Sequence, residues 1–295
     1  MFVIEVPYIN LDQIYESGQV FSWIKLRDSK YVIPFGNQAL KIEQQKERLI
    51  MSCTDEQFYN IWFYYFDMNT DYLAINYSVK RIDEYMKICA NRGNGVRILR
   101  QDLFEMIITF ALATATNIPR IKAMVESISK VCGIEHKQSM REAGRITWYE
   151  FPTPQSILEN QDKLDQCKLG YRKDIIIGLC QDIVDGWLDL YELSQMSYED
   201  AKEYLMQFNG IGPKVADCIC LYGLHHTQAF PIDTHIEQIL EREYDCDYET
   251  FAEWYLEDLK GYEGIIQQYM FYNELNPPKE VRGWKKTVYS SRLVH

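Results

Sequence analysis

The pattern of apolar and polar positions divides the chain into two parts. In about the first ninety residues, short runs rich in β-branched and aromatic residues are separated by polar or glycine-containing breaks. This alternation predicts an antiparallel sheet with one covered face. The predicted strands span 2–6, 19–26, 31–35, 39–44 and 49–53, and a helix capped by Thr54 or Asp55 follows over 54–66.

From about residue 100 the apolar positions recur with a helical period. In 118-IPRIKAMVESISKVCG-133 they fall three and four residues apart, and Gly133 ends the pattern. Asn276-Pro277-Pro278 ends the last predicted helix. The predicted helices span 101–115, 118–133, 153–161, 172–185, 198–208, 213–224, 233–243, 249–258 and 262–275.

These elements predict an α+β protein. An N-terminal α+β domain with an antiparallel sheet is expected over 1–98. A larger, all-helical region is expected over 99–276, and a short basic tail over 277–295. The length of 295 residues agrees with about two domains.

Composition narrows the class of protein. The hydrophobic content of 47% is ordinary for a soluble globular protein. The N-terminus lacks the basic and apolar regions of a signal peptide, and the most apolar run, 106–115, is too short to span a bilayer. We therefore expect a cytoplasmic protein, associated with the nucleoid if bacterial, without a membrane partner. We also expect a monomer.

The eight cysteines contain no C-x-x-C pair, so we expect reduced thiols, several of them buried, rather than a disulfide framework or a metal site. The net charge of −12 argues against a generic nucleic-acid binder. Basic residues are nevertheless in excess between Arg92 and Arg145, and acidic residues between Ile236 and Lys260. A basic binding face opposite an acidic back would explain this distribution, and so would solvated helix faces.

The stretch 209-NGIGPKVADCICLYG-223 predicts a helix, a tight hairpin and a second helix. Gly210 and Gly212 permit positive φ or a close backbone approach, and Pro213 suits the first helical position. Exposed N–H groups at such a place bind phosphate without reading sequence. This helix-hairpin-helix pattern favours DNA binding, although a simple interhelical turn would have the same glycines.

Lys214 in the first turn of the second helix indicates catalysis. The positive end of the helix dipole and the apolar neighbours both favour the neutral amine, which can form a Schiff base. The alternative is a solvent-facing lysine that contacts DNA phosphate. Asp233, in 229-AFPIDTHIEQIL-240, is predicted to cap a helix, and near Lys214 it could also stabilise a sugar cation or transfer protons. His235, in the same first turn, favours a phosphate or capping contact over a general base.

The chain resembles the 8-oxoguanine DNA glycosylases of the eukaryotic type, within the helix-hairpin-helix glycosylase superfamily. The resemblance covers most of the region from Gln101 to Phe271 and is weaker in the N-terminal unit. It rests on GIGPKVADCICL with QAFPIDTH, on 15-YESGQVFSW-23 and 101-QDLFEMIITFALATATNIPRIKAMVE-126, and on 168-KLGYR-172, 198-YEDA-201 and 263-EGIIQQYMF-271.

This resemblance implies a set of site residues. Lys214 would be the Schiff-base nucleophile and Asp233 the catalytic aspartate. The extruded purine would lie between Cys218 and Phe271, with Gln267 at its Watson–Crick edge and the Gly18 carbonyl at its N7–H. Tyr171 would wedge into the opened stack, His235 would touch phosphate, and Asn117, Arg120 and Arg172 would contact the orphaned partner base. The family has three consecutive asparagines where this chain has Ala115-Thr116-Asn117, which puts opposite-base recognition in doubt.

The sequence thus predicts a bifunctional glycosylase and lyase that removes 8-oxoguanine from duplex DNA without a cofactor or metal. Two alternatives stay open at this point. One is a helix-hairpin-helix glycosylase for another damaged base, such as an alkylated one, although enzymes of that kind typically lack the lysine. The other is a non-catalytic DNA-binding module, which would need the hairpin but not Lys214, Asp233 and a purine pocket together.

Overall fold

A computed structural model describes residues 1–140 and 144–277 of the chain. The N-terminal sheet has five antiparallel strands in the order β1-β5-β4-β3-β2, which confirms the predicted sheet. The strands are β1 Phe2–Glu5, β2 Ile24–Arg27, β3 Lys30–Phe35, β4 Gln38–Gln45 and β5 Arg48–Met51. Most of the predicted tail lies outside the described residues.

The strand predicted over 19–26 is wrong in its first half. β2 begins only at Ile24, and the preceding segment is irregular. Its apolar side chains are buried in two different places: Val20 and Trp23 lie in the core under the sheet, whereas Phe21 lies in the core of the helical region.

Short helices accompany the sheet. The helix predicted over 54–66 is present, although a π-helical stretch, Phe58–Trp62, divides it. Thr54 caps it, and Thr54 and Gln57 form a reciprocal capping box. Three further helices, the first, fourth and fifth of the five whose bounds follow, were not predicted. The bounds are α1 Leu11–Glu16, α2 Asp55–Gln57, α3 Phe63–Tyr65, α4 Tyr72–Val79 and α5 Glu84–Arg92.

The second part is mainly helical, as predicted, and the fold class is confirmed. One correction is needed, because the region is not all-helical: it contains a two-stranded hairpin, β6 Glu135–Met140 and β7 Gly144–Tyr149. The helices are α6 Leu103–Leu112, α7 Ile118–Cys132, α8 Pro154–Glu159, α9 Arg172–Val184, α10 Leu190–Leu193, α11 Tyr198–Leu205, α12 Pro213–Tyr222, α13 Thr234–Ile239, α14 Tyr248–Tyr255 and α15 Glu263–Leu275. Short 3-10 segments span Gln161–Cys167 and Glu257–Leu259, and a π-helical turn, Leu240–Tyr244, continues α13.

Two hydrophobic cores meet near the predicted domain boundary at residue 98. Leu99 belongs to the core under the sheet, whereas its neighbour Ile98 belongs to the larger helical core. The buried residues of α4 and α5 also pack into the helical core, although they precede residue 98. The boundary itself stays a prediction. All eight cysteines are free thiols and seven of them are buried, as expected.

A buried carboxylate joins the two parts. Asp67 is fully buried, and its oxygens lie 3.2 Å from Arg100 Nη2, 2.9 Å from the Tyr72 hydroxyl and 3.3 Å from His225 Nε2. Burial opposes ionisation of Asp67, but the contacts with His225, Thr70 and Tyr72 outweigh it and hold the pKa of this carboxyl at about 2. The contacts with His225 tie the sheet domain to the region after α12. Within the described ranges, no helix has the length and apolar character needed to cross a bilayer.

Candidate active site

The helix-hairpin-helix motif is present as predicted, with α11 and α12 as its helices. Gly210 has φ +88°, and a Cβ there would come within 2.3 Å of Ile175 Cγ2, so both the turn and its packing require glycine. Gly212 is the N-cap of α12, and no side chain caps the helix there. The space where a Gly212 Cβ would lie is empty within 4 Å. The first N–H groups of α12 therefore have room for an anion.

A cavity of about 660 Å³ lies between the N-terminal half of α12, the segment before α13, α15 and the loop after α1. It brings together residues that are far apart in the sequence. Eight of the thirteen predicted site residues line it: Gly18, Asn117, Lys214, Cys218, Asp233, His235, Gln267 and Phe271. The other five, Arg120, Tyr171, Arg172, Gly210 and Gly212, lie outside this lining.

Lys214 is half-buried, and its Nζ lies 5.8 Å from the centre of the Phe110 ring. The expected depression of its pKa is wrong in direction. The pKa of Lys214 is raised, because Cys218, one turn further along α12, and Asp233 favour the ammonium form more than burial disfavours it. Burial in turn raises the pKa of the Cys218 thiol to about 11. The amine therefore rests protonated, and it must lose a proton before it can act as a nucleophile.

Asp233 caps α13, as predicted. One carboxylate oxygen accepts hydrogen bonds from the backbone N–H groups of His235 and Ile236, each at 3.0 Å. The cap fixes the carboxylate at the cavity wall, where its charge contributes to the raised pKa of Lys214. His235 is exposed, and its ring packs edge-on against Phe271 with the ring centres 5.9 Å apart.

Another residue of the cavity lining carries an acceptor that has no hydrogen-bond partner in the described part of the chain. Gln267 is buried, and its Nε2 donates to the Pro231 carbonyl at 3.1 Å. Its Oε1 is buried and has no hydrogen-bond partner among the described residues. Buried polar groups are normally paired, so an unpaired amide oxygen at a cavity wall indicates a ligand with an N–H donor.

Gly18 closes the cavity beside Phe271. Its φ of +83° lies in the left-handed region. A Cβ at Gly18 would lie 2.9 Å from Phe271 Cε1 and 3.2 Å from Ile118 Cδ1. The close approach of this backbone to the Phe271 ring therefore depends on glycine.

The predicted contacts for the partner base lie at the turn between α6 and α7. Asn117 caps α7 by accepting from the Arg120 N–H at 3.0 Å, and both residues are exposed. Arg172 is buried, and its Nη2 donates to the carbonyls of Thr114 and Ala115. Arg172 thus holds the turn itself, and its predicted contact with a base stays a prediction.

Tyr171 lies beside this turn, and its ring is 57% exposed, as a wedge would be. The Arg172 guanidinium lies 4.6 Å from the centre of that ring. Ala115 adopts φ +49°, a conformation that asparagine tolerates better than alanine.

Three aromatic residues at the cavity were missed in the sequence: Phe21, Phe110 and Tyr222. Tyr222 is four residues beyond Cys218 and eight beyond Lys214. Helical spacing therefore places Lys214, Cys218 and Tyr222 on one face of α12. That spacing is the signal that could have found it. Tyr222 stacks on Phe110 with the ring centres 5.2 Å apart.

Comparisons with known proteins indicate the class of protein to which this fold is similar. Residues 1–107 match the family model of the 8-oxoguanine DNA glycosylase N-terminal domain. The N-glycosylase/DNA lyase of Saccharomyces cerevisiae is 27% identical over 262 residues, covering 79% of this chain and 68% of the yeast protein. The DNA-3-methyladenine glycosylase of Bacillus subtilis is 26% identical over 221 residues, covering 73% of this chain and 69% of that protein.

The most informative structural match is the Clostridium acetobutylicum 8-oxoguanine glycosylase/lyase in complex with double-stranded DNA containing cytosine opposite 8-oxoguanine. It has a TM-score of 0.82 and 28% identity, covering 92% of this chain and 97% of that one. The fold and the site together define a helix-hairpin-helix DNA glycosylase. Within that class, the resemblance drawn from the sequence is confirmed: in sequence and in structure, the chain is similar to the 8-oxoguanine DNA glycosylases.

Proposed function

We propose that this protein removes 8-oxoguanine from duplex DNA and then cleaves the strand, with Lys214 as the covalent nucleophile. The observation that carries the proposal is the single cavity that Lys214, Asp233 and the unpaired Gln267 oxygen share. An amine, a carboxylate and a base-reading acceptor around one space are what excision of an extruded nucleotide requires.

Recognition begins with extrusion, because C1′ of a stacked nucleotide is out of reach of any side chain. Tyr171 would take the place of the extruded base, while Asn117, Arg120 and Arg172 would hold its partner. The N–H groups at Gly210 and Gly212, together with His235, would bind the phosphates. These contacts are independent of sequence, which suits an enzyme that must search the whole duplex.

The lesion differs from guanine in the hydrogen-bonding character of N7. Guanine N7 is an acceptor, whereas N7 of 8-oxoguanine carries a proton. The Gly18 carbonyl would accept a hydrogen bond from this N7–H and would repel the acceptor N7 of guanine. Gln267 Oε1 would accept an N–H from the Watson–Crick edge, and the purine would lie between Cys218 and Phe271. An unpaired acceptor at each of two edges rejects a wrong base more strongly than shape alone does.

The chemistry follows from the two charged residues. After losing one proton, for which the Asp233 carboxylate is the acceptor in the same cavity, the Lys214 amine attacks C1′. The C1′–N9 bond breaks, the departing base takes the electron pair, and the proton held by Asp233 passes to the base, which restores the carboxylate. The Asp233 carboxylate stabilises the positive charge that develops on the sugar. Ring opening then gives a Schiff base between Lys214 and C1′, and loss of a C2′ proton expels the 3′ phosphate.

The test is borohydride trapping on a panel of duplexes that each carry one damaged base. We expect an adduct and base release with 8-oxoguanine, and we expect Lys214→Gln to abolish both while duplex binding survives. Lys122→Gln is the matched control. The pKa of Lys122 is lowered to about 8 by burial, and its amine lies over the Tyr15 ring at 3.7 Å in a separate cavity. Lys122 is thus the more reactive amine by basicity alone, and its loss should leave trapping intact.

Two results would contradict the proposal. Adduct formation that persists in Lys214→Gln and disappears in Lys122→Gln would reassign the nucleophile. Release of an alkylated base, with 8-oxoguanine untouched, would favour the alternative glycosylase. We further propose that the enzyme acts as a monomer in the cytoplasm, at the nucleoid if bacterial, and that its side chains supply the chemistry without a cofactor.

A further inference from the structure

A buried chain of hydrogen bonds connects the nucleophile helix to the loop that carries Gly18. The hydroxyl of Tyr222, in the last turn of α12, donates to Gln268 Oε1. Gln268 Nε2 donates to the Ser17 carbonyl at 2.7 Å, across 251 residues of sequence. Gln268 is fully buried, and Tyr222 is 5% exposed. Both functional ends of the Gln268 amide are therefore committed.

The other side of Gly18 is held in the same manner. Gln19 is fully buried, and its Nε2 donates to the Ser17 hydroxyl at 2.9 Å and to the Arg97 carbonyl at 2.8 Å. Its Oε1 accepts from the Leu99 N–H at 2.9 Å. Gly18 thus lies between two residues whose positions are fixed by buried amides, while glycine itself has the greatest backbone freedom.

Tyr222 also lies against the catalytic end of the cavity. Its ring stacks on Phe110, and the Lys214 amine lies over the other part of that stack, 5.8 Å from the Phe110 ring centre. Successive contacts therefore connect Lys214, Phe110, Tyr222, Gln268 and Ser17. We call this series of contacts the relay. It sets the distance between the nucleophile and the loop that would contact the base.

We propose that Tyr222 and Gln268 are positioning residues that fix the Gly18 carbonyl relative to Lys214 and thereby set lesion specificity. The inference rests on the proposed function, because it needs Gly18 to read the purine. Neither residue touches the reacting atoms in this scheme. Gln268 differs in this from its neighbour Gln267, which lines the cavity and whose buried Oε1 has no hydrogen-bond partner among the described residues.

Two substitutions separate the links of the relay. Tyr222→Phe removes only the hydroxyl and leaves Gln268 Oε1 buried without its donor. Gln268→Glu keeps an acceptor for Tyr222 but turns a carboxylate oxygen toward the Ser17 carbonyl, so the second link becomes repulsive. Tyr244→Phe is the matched control, since the Tyr244 hydroxyl also donates within the protein, to Asp83 at 2.9 Å and away from the cavity.

The main measurement is the affinity for a duplex with 8-oxoguanine opposite cytosine, divided by that for the undamaged duplex, in a Lys214→Gln background that prevents turnover. We expect Tyr222→Phe to lower this ratio about tenfold, the usual consequence of one unpaired buried group. Gln268→Glu should lower it further, and Tyr244→Phe should leave it unchanged. A merely structural role would weaken both affinities together and leave the ratio alone.

Amide hydrogen exchange of the DNA-free protein gives a second, independent measurement. The peptide that contains residues 15–21 should exchange faster in Tyr222→Phe than in wild type, and at the wild-type rate in Tyr244→Phe. If wild type fails to excise 8-oxoguanine, the proposed function is wrong, and exchange alone then decides whether the relay holds the loop. Where wild type does excise 8-oxoguanine, an affinity ratio that Tyr222→Phe leaves unchanged would overturn the positioning role. Unchanged exchange at residues 15–21 would overturn it as well.

Discussion

Replacing Gly18 by alanine is the sharpest test of how the cavity reads a base. The structure shows two free-energy costs of this substitution. The φ of +83° costs an L-residue roughly 1–2 kcal/mol. The new Cβ would also lie 2.9 Å from Phe271 Cε1, well short of the carbon–carbon contact distance of about 3.5–4.0 Å. The Phe271 ring must therefore shift away from the position where it would stack on the purine.

The two penalties can be measured apart. Gly186 has φ +79° and has no atom within 4 Å of its Cβ position, so Gly186→Ala carries the backbone cost without the crowding. Gly186→Ala should lose about 1–2 kcal/mol of unfolding free energy in urea titrations, and Gly18→Ala should lose more because crowding adds to the backbone cost. Only Gly18→Ala should lose single-turnover excision of 8-oxoguanine, by tenfold or more, because small displacements at a reacting centre are costly. Non-specific duplex binding should change little in either variant.

Equal losses of excision in the two variants would refute this reasoning. They would mean that the global loss of stability, and not the position of the Gly18 backbone, limits the reaction. Gly18 would then be only a turn residue. Normal excision by Gly18→Ala would refute it from the other direction, because a side chain at the proposed base contact would be tolerated.

Three further predictions concern the cap, the buried carboxylate and the partner base. Asp233→Asn should keep most of the helix cap yet slow base release by roughly 100-fold in single-turnover assays, whereas Asp233→Ala should also cost about 1 kcal/mol in thermal unfolding; a normal rate in Asp233→Asn would leave only the capping role. Because the folded pKa of Asp67 is about 2, below the unfolded value of 3.8, its stabilisation is present above pH 3.8 and is lost as the pH falls toward 2. Wild type should therefore lose about 2 kcal/mol more unfolding free energy than Asp67→Asn between pH 5 and pH 2, and parallel curves would contradict this. The enzyme should prefer cytosine opposite the lesion only moderately. Asparagine at both Ala115 and Thr116 should strengthen this preference, and asparagine at position 115 adopts the left-handed backbone with less strain. Excision rates opposite each of the four bases, measured before and after the substitutions, test this prediction.

Local signals in the sequence were enough for much of the fold. The glycines and proline before α12 predict the hairpin, and Asp233 predicts the start of α13, because caps and turns depend on neighbouring residues. The same signals existed for helices that were missed, among them α4 and α5. Asp71 and Asp83 cap α4 and α5 by accepting from the third following N–H, but these helices are short and their apolar positions do not form a long periodic pattern.

The site was less accessible to sequence reasoning, because its properties come from distant partners. Gln267 and Gln268 are identical in type and adjacent in a helix, and both are buried. One has a free oxygen at the cavity and the other is fully bonded, a difference set by Pro231, Tyr222 and Ser17. The direction of the Lys214 pKa shift was misjudged because two contacts were left out: Cys218, one turn further along α12, and Asp233 both raise this pKa against the effect of burial.

The distance in sequence between the loop at Gly18 and α15 has a consequence for the protein during its own synthesis. Ser17 and Gln268 bond across 251 residues, so the cavity cannot be completed until α15 has been made and docked. A growing chain that already has α12 and its lysine still lacks the second half of the base pocket. Contacts of such long range also close late in folding, because the loop entropy must be lost before they form. A partly synthesised chain without α15 therefore lacks Gln267 and Phe271, two residues of the cavity lining, although it already has Lys214.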